Sequence, residues 1–215
     1  MPDLSPCPLC DHSAGLFLAG DRSYYRCPVC LLVHVPPAQH LSASAERAVY
    51  DLHENEIDDA GYRGFLARVA EPLLAEVSPP APVLDFGCGH GPALAAMMAE
   101  AGFRVRLYDP FYYPDPEALK VNYRIITATE VVEHLSRPGD ELQRLWSLLE
   151  PGGWLGIMTK RQPPPEAFSR WHYLRDPTHV AFFHEETFRH LAAGWGAELR
   201  LPREDVALLR KPGRC

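Results

Sequence analysis

The tightest constraint on this chain is the run PVLDFGCGHG at 82–91, followed at once by the helix-forming stretch 93–101. A short apolar strand enters a turn with glycine at every second position (Gly87, Gly89, Gly91), and the turn leads into a helix. Glycine lets the backbone approach a ligand closely, and the start of a helix offers free N–H groups. Such a unit is a cofactor cradle and predicts an open α/β sheet. Alternating glycines alone would serve a nicotinamide cofactor equally well. Two details separate the cases. Asp85 lies two residues before the first glycine, where its charge suits a cationic amino-acid end and would repel a pyrophosphate. The spacing is G-x-G-x-G, whereas dinucleotide sites favour G-x-G-x-x-G. Cys88, inside the turn, reads as a small packed residue.

VLDFGCGHG resembles the first motif of class I S-adenosylmethionine-dependent methyltransferases. The resemblance runs in order over about 82–211. FRVRLYD at 103–109 resembles the family's second strand, YRIITAT at 123–129 its fourth, LLEPGGWLGIMT at 148–159 the turn into its fifth, and 196–211 its closing antiparallel hairpin. It implies a Rossmann-like, doubly wound seven-stranded sheet whose last strand is antiparallel. It also implies S-adenosyl-L-methionine as cofactor, held by Asp85, Gly87, Gly89, Gly91 and Asp109, with Phe111 or the pair Tyr112 and Tyr113 against the adenine. An acid at the position of Asp109 can accept from both ribose hydroxyls. One stretch departs from the pattern. Only 110–122 separates the second and fourth strands, where the family fits a helix and a third strand. Either that strand is vestigial, or Asp115 or Glu117 supplies the missing adenine contact.

Upstream, Cys7 and Cys10 are followed after sixteen residues by Cys27 and Cys30. Two C-x2-C turns can aim four thiolates at one ion, the spacing of a structural zinc ribbon. Between them, 16–18 and 24–25 suit a hairpin. Asp11 and Leu31 stand where such turns often carry glycine. The other cysteine, Cys215, has no evident partner. The expected organisation is a ribbon over 1–35, a linker and helical connector or lid over 36–80, and a methyltransferase domain over 81–215. In the connector, Tyr62, Phe65, Leu66, Val69, Leu73 and Val77 recur at helical spacing, predicting a helix over 59–77 that covers the sheet or roofs the site.

After the fourth strand comes TEVVEH at 129–134. Glu130 and Glu133 share a face on a helical turn, and His134 adjoins the second. Two carboxylates and an imidazole suit a divalent metal. E-x-x-E-H resembles two metal-using methyltransferase families, one acting on catechol-type oxygens and one on the terminal 2′-hydroxyl of small RNAs. The second takes a further downstream histidine, for which His179 stands ready here. The same motif also fits general-base or positioning roles without metal. Glu130, Glu133, His134 and His179 are therefore expected at the acceptor, with a second divalent metal as one option. The aromatic and histidine-rich segment 171–179 reads as a substrate lid.

The net charge of −7 weighs against broad nucleic-acid binding, although Arg161, Arg170, Arg175 and Arg189 fall together in the last third. No apolar run reaches the roughly 18–20 residues of a membrane span, and the expected location is cytoplasmic. The reading is methyl transfer, most simply to an oxygen of a small molecule. Its rivals are an RNA methyltransferase docking RNA on the ribbon, a sugar C-methyltransferase, and a non-catalytic binding protein that keeps the cofactor fold. The oligomeric state stays open.

Overall fold

The structure, a computed structural model, describes residues 4–52 and 56–213. Cys215 lies outside the described residues. In chain order come β1 (Leu4–Pro6), β2 (Ser13–Ala19), β3 (Ser23–Arg26), β4 (Val33–His34), α1 (Ala43–Tyr50) and α2 (Ala60–Glu76). Then follow β5 (Pro82–Phe86), α3 (Ala93–Glu100), β6 (Arg104–Tyr108), β7 (Tyr123–Thr129), α4 (Pro138–Leu148) and β8 (Leu149–Met158). The chain ends with α5 (Pro165–Phe168), β9 (Ala181–Phe182), α6 (Glu185–Trp195), β10 (Glu198–Arg203) and β11 (Val206–Arg210).

The larger sheet has the order β10-β11-β8-β7-β5-β6. β6, β5, β7 and β8 are parallel, and β11 runs antiparallel to both β8 and β10. Neighbours along a strand face opposite layers. Val83, Ile125, Trp154 and Leu208 join Leu66, Val69 and Leu73 of α2 and Leu94 and Met98 of α3. Leu84, Ile126, Leu155 and Leu209 join Leu142 and Leu145 of α4 and Phe188 of α6. Burial on both faces is why these strands read as unbroken apolar runs.

The sheet has six strands, one fewer than the resemblance implies. The third-strand position is empty because 110–122 carries Pro110, Pro114 and Pro116, which cannot donate to a ladder. That segment instead forms a 3-10 turn at Pro116–Leu119, capped by Asp115, whose Oδ1 accepts from the Glu117 N–H at 3.0 Å. Glu117 itself accepts from Lys120 at 2.6 Å. Both acids are thus spent within an exposed turn.

The helix expected over 59–77 forms as α2, started by Asp59, whose Oδ1 accepts from the Tyr62 N–H at 2.6 Å. It lies against the sheet. The segment expected as plain linker contains α1, which starts at Ser42 and buries none of its residues. At eight residues, α1 is too short to show the sustained apolar periodicity that marks a helix in a sequence. It is α1, through Tyr50, that leans over the site.

The N-terminal hairpin forms as expected, with Leu16 opposite Tyr25 and Gly15 opposite Arg26. The ribbon does not end at residue 35. Its sheet has the order β1-β2-β3-β4-β9, so β9 from the C-terminal part of the chain closes it. Val33 pairs with Phe182 and His34 with Ala181. Cys7, Cys27 and Cys30 share a core cluster with Leu84 and Phe86 of the large sheet. A third cluster joins Tyr24, Val33 and Val35 of the ribbon to Phe168, Tyr173, Val180 and Phe182. The ribbon is therefore welded to the segment between β8 and α6.

Candidate active site

The site lies at the C-terminal ends of the parallel strands, where open α/β sheets place their ligands. On the cofactor side, Gly87 (φ +71°) and Gly89 (φ +63°) take left-handed backbone conformations. A Cβ on Gly87 would stand 2.4 Å from a methyl of Val131, so this residue is glycine for packing as well as for backbone. A Cβ on Gly89 would meet nothing within 4 Å, so that glycine faces open space, as a cradle requires. Gly91 is buried, and its carbonyl accepts from the Ala93 N–H at 2.8 Å as α3 begins. Asp109, at the end of β6, accepts from the N–H groups of Gly89 (3.0 Å), Phe111 (2.8 Å) and Tyr112 (3.1 Å). Its carboxylate ties the glycine turn to the next turn and keeps about one of its roughly four acceptor directions for a ligand. Asp85 is 4% exposed and accepts from the Thr127 hydroxyl at 2.8 Å. Burial pushes its carboxyl up to about 6. Phe111 packs 5.8 Å from the ring of Tyr50, between the two halves of the site.

On the acceptor side, Glu130 follows β7 with φ +53°, a left-handed position held by a non-glycine residue. The helical turn expected here is a 3-10 turn, Val132–His134. Glu133 is fully buried and accepts a short hydrogen bond from the Tyr173 hydroxyl. The same hydroxyl lies 3.5 Å from Glu130 Oε2. Glu130 Oε1 and Glu133 Oε2 are buried without a hydrogen-bond partner among the described residues. Burial, then the neighbouring Glu133, pushes the Glu130 carboxyl up to about 8. Burial raises Glu133 as well. His179 Nδ1 lies 2.8 Å from the Tyr173 carbonyl, and His134 Nδ1 lies 3.3 Å from the Thr178 carbonyl. A carbonyl only accepts, so each Nδ1 carries a proton; His179 Nε2 faces Asp176 Oδ2 at 3.7 Å, and burial lowers the His179 pKa. Donor atoms of Glu133, His134 and His179 lie within 4.8 Å of one another. All four expected acceptor residues are thus brought together.

Tyr173, from the segment expected as a substrate lid, joins them, with Thr159 and Tyr50, which sequence reasoning did not assign. Tyr173 packs against His179, with ring centroids 4.0 Å apart and the rings tilted by 47°. Thr159 stands at the end of β8 with its hydroxyl 3.3 Å from that of Tyr173. Tyr50 packs edge-on against His134 at 5.3 Å. The end of β8 was findable from the rule that sites gather at strand C-termini. Tyr50 gives no local signal.

The four ribbon sulfurs also converge. Cys7 and Cys30 are 3.6 Å apart, and Cys10 lies 3.5 Å from both Cys27 and Cys30. A zinc tetrathiolate has S···S edges of about 3.8 Å, from Zn–S bonds of about 2.3 Å. The donor set therefore fits zinc and closes its coordination. Burial pushes the Cys10 thiol up to about 12, so it becomes a thiolate at neutral pH only beside a cation. Asp11 (φ +59°) and Leu31 (φ +57°) take the left-handed position after each knuckle although neither is glycine.

A family model described as a methyltransferase domain matches residues 59–201, about two thirds of the chain. No curated protein matches in sequence. Among solved structures, the fold resembles the Burkholderia thailandensis 1,6-didemethyltoxoflavin-N1-methyltransferase with bound substrate and S-adenosylhomocysteine. That match has 18% identity and TM-score 0.53, over 91% of this chain and 98% of that one. It also resembles the Synechocystis magnesium protoporphyrin IX methyltransferase with bound S-adenosylhomocysteine, at 16% identity and TM-score 0.53, over 79% and 95%. A third likeness is to a complex of the Haloferax volcanii Trm112 methyltransferase activator with a methyltransferase, at 15% identity and TM-score 0.52, over 74% and 99%. Among the described residues no helix is long and apolar enough to cross a membrane. With the ordered motifs, the open glycine cradle and the family match over most of its length, this chain belongs to the class I S-adenosylmethionine-dependent methyltransferases.

Proposed function

We propose that the chain methylates a hydroxyl oxygen of a small molecule, with its N-terminal cysteines holding one structural zinc. The observation that carries this reading is the pair of unpartnered buried oxygens on Glu130 and Glu133, with Glu133 clustered with His134 and His179. When bound, S-adenosylmethionine supplies a methyl group on a positively charged sulfur. Asp85, Gly87, Gly89, Gly91, Asp109 and Phe111 form the surface on which that cofactor rests. The acceptor hydroxyl must lose a proton, and the Nε2 of His179 or His134 can take it. Glu133 and Tyr173 hold that end rigid. A divalent cation on Glu133, His134 and His179, with Glu130 beside it, would lower the pKa of the hydroxyl and orient it. The Nδ1–carbonyl hydrogen bonds of both histidines are the outer contacts that usually orient metal-binding imidazoles.

Two of the four arginines of the last third are already engaged within the protein. Arg161 donates to the Arg203 carbonyl at 3.0 Å, and Arg189 pairs with Glu185 and Glu186. Incubation with methyl-labelled S-adenosylmethionine, a panel of catechols and alcohols, and total RNA tests the reading. Label in ether products, increased by magnesium or manganese, is expected. Label recovered in RNA alone would overturn it.

A further inference from the structure

Arg22 lies in the turn between β2 and β3, far in sequence from any residue assigned to the site. Its guanidinium crosses to the segment 174–179. One terminal nitrogen donates to the carbonyls of His179 at 2.9 Å and Pro177 at 3.1 Å. The other donates to those of Leu174 at 3.1 Å and Asp176 at 3.2 Å. The guanidinium carbon lies over the ring of Tyr24, 5.6 Å from its centroid. A planar fork of five donors can gather several carbonyls at once, which a point-charge ammonium cannot.

The gathered segment carries or adjoins several acceptor-side contacts that come from outside 130–134. Tyr173 precedes it and donates to Glu133. The Thr178 carbonyl holds His134, and the Tyr173 carbonyl fixes the His179 tautomer. Just after it, the Val180 N–H donates to the Glu133 carbonyl at 2.8 Å. The other end of the ribbon is anchored as firmly. The Pro8 carbonyl accepts from the Gly139 N–H at 3.1 Å, and the Cys30 carbonyl accepts from the Thr187 hydroxyl at 2.8 Å. The hairpin is thus a strut, docked at the cysteine knuckles and reaching the acceptor segment with its tip.

We propose that Arg22 is a positioning residue of the acceptor site: through 174–179 it sets the orientation of His179 and Tyr173 toward Glu133. The ribbon is then part of the catalytic apparatus and not a separate docking module. The inference rests on reading Glu133, His134 and His179 as the acceptor side, but its test reads His179 directly and needs no acceptor.

The test uses the full chain with Arg22→Met and Arg22→Lys, both of which keep an unbranched aliphatic stem. Zinc content and S-adenosylhomocysteine affinity serve as controls. The readouts are the His179 tautomer by long-range proton–nitrogen NMR and hydrogen exchange at the Val180 amide. Both variants should keep zinc and bind S-adenosylhomocysteine within about twofold. Val180 exchange should accelerate about tenfold or more, the scale of losing hydrogen bonds to a charged group. His179 should change from the Nδ1–H form to a mixture of tautomers. A purely structural Arg22 would lower thermal stability and leave the folded-state tautomer alone. The parent tautomer and protection in either variant would overturn the proposal. Loss of zinc or cofactor binding in both would overturn it too, because Arg22 would then hold the fold and not the segment.

Discussion

At the cofactor end, the left-handed backbone positions are filled by Gly87 and Gly89, and Asp109 accepts from three backbone N–H groups. At the acceptor end, the left-handed position is filled by Glu130, and oxygens of Glu130 and Glu133 are buried unpaired. The first end is complete and relaxed without its ligand. The second holds a left-handed non-glycine residue and unpartnered buried carboxyl oxygens, which persist only where the surrounding structure enforces them. The enforcement comes from far along the chain: from Tyr173, from 174–179, and from the ribbon that clasps it. Binding of the cofactor is thus written in one local stretch, whereas handling of the acceptor depends on the whole fold.

The harshest way to break this contrast is to remove the ribbon's metal site. Structural zinc contributes apparent binding energies of about 10–16 kcal/mol in small peptides, and that energy is folding energy. Cys7→Ser should abolish zinc retention and, by hydrogen exchange, strip protection from β2, β3 and 174–180. S-adenosylhomocysteine affinity should fall less than about tenfold, because 82–112 makes the cradle. An equal collapse at both ends would show that the contrast is false.

Glu133→Gln probes the acceptor end alone. The amide keeps an oxygen for the Tyr173 hydroxyl, and burial already disfavours the charged form of Glu133. Single-turnover label transfer should slow by about 10–100-fold, the usual weight of a group that orients the reacting residues or a bound cation. Thermal stability should hold or rise, and S-adenosylhomocysteine affinity should stay within about twofold. A variant that loses the cofactor as readily as the activity would merge the two ends.

The same contrast decides what could be read from the sequence. The strand, turn and helix at 82–101 and the acid at 109 lie close together, so local spacing together with a family resemblance singled out that stretch as the expected cradle. The two C-x2-C pairs are local as well. Glu130, Glu133 and His134 were legible as a cluster, and His179 only through a family resemblance. Their mates were not legible. Arg22 meets carbonyls more than 150 positions away, and no periodicity encodes such a contact. The missing third strand was visible as a short segment, yet its replacement by a proline-laden turn follows from ladder chemistry that spacing does not display. α1 was hidden because it buries nothing.

Asp85 offers a pH test of the cofactor end. Its folded carboxyl titrates near 6, against an ordinary value of 3.8. Below the ordinary value both folded and unfolded chains hold the proton, and this group's effect on stability is most favourable. As pH rises toward 6, the unfolded chain gives up its proton and the folded chain keeps it. Stability should therefore fall by up to about 3 kcal/mol and then level off. Denaturant unfolding of the ligand-free protein across pH 3.5–7 should show that decline, and Asp85→Asn should remove it. Bound S-adenosylhomocysteine, whose amino group stays cationic, should flatten the decline if Asp85 faces that group. An unchanged slope would leave Asp85 as a support of the turn through Thr127.

The smallest effect separates strain that serves chemistry from strain that does not. Asp11 and Glu130 both occupy left-handed positions, which cost a non-glycine residue about 1–2 kcal/mol. Asp11 is exposed and stands outside the acceptor cluster, so Asp11→Gly should relieve strain at some cost in unfolded-chain entropy. A net gain of about 0.5 kcal/mol with unchanged label transfer is expected from thermal or denaturant unfolding. Glu130→Gly relieves the same backbone strain and also removes a half-buried carboxylate with an unpaired oxygen, so it should stabilise more. It should also lose label transfer, because the carboxylate is what the strain delivers to the site. If Glu130→Gly stayed active, the left-handed Glu130 would be a packing accident, and the acceptor end would owe its chemistry to Glu133 and the histidines alone.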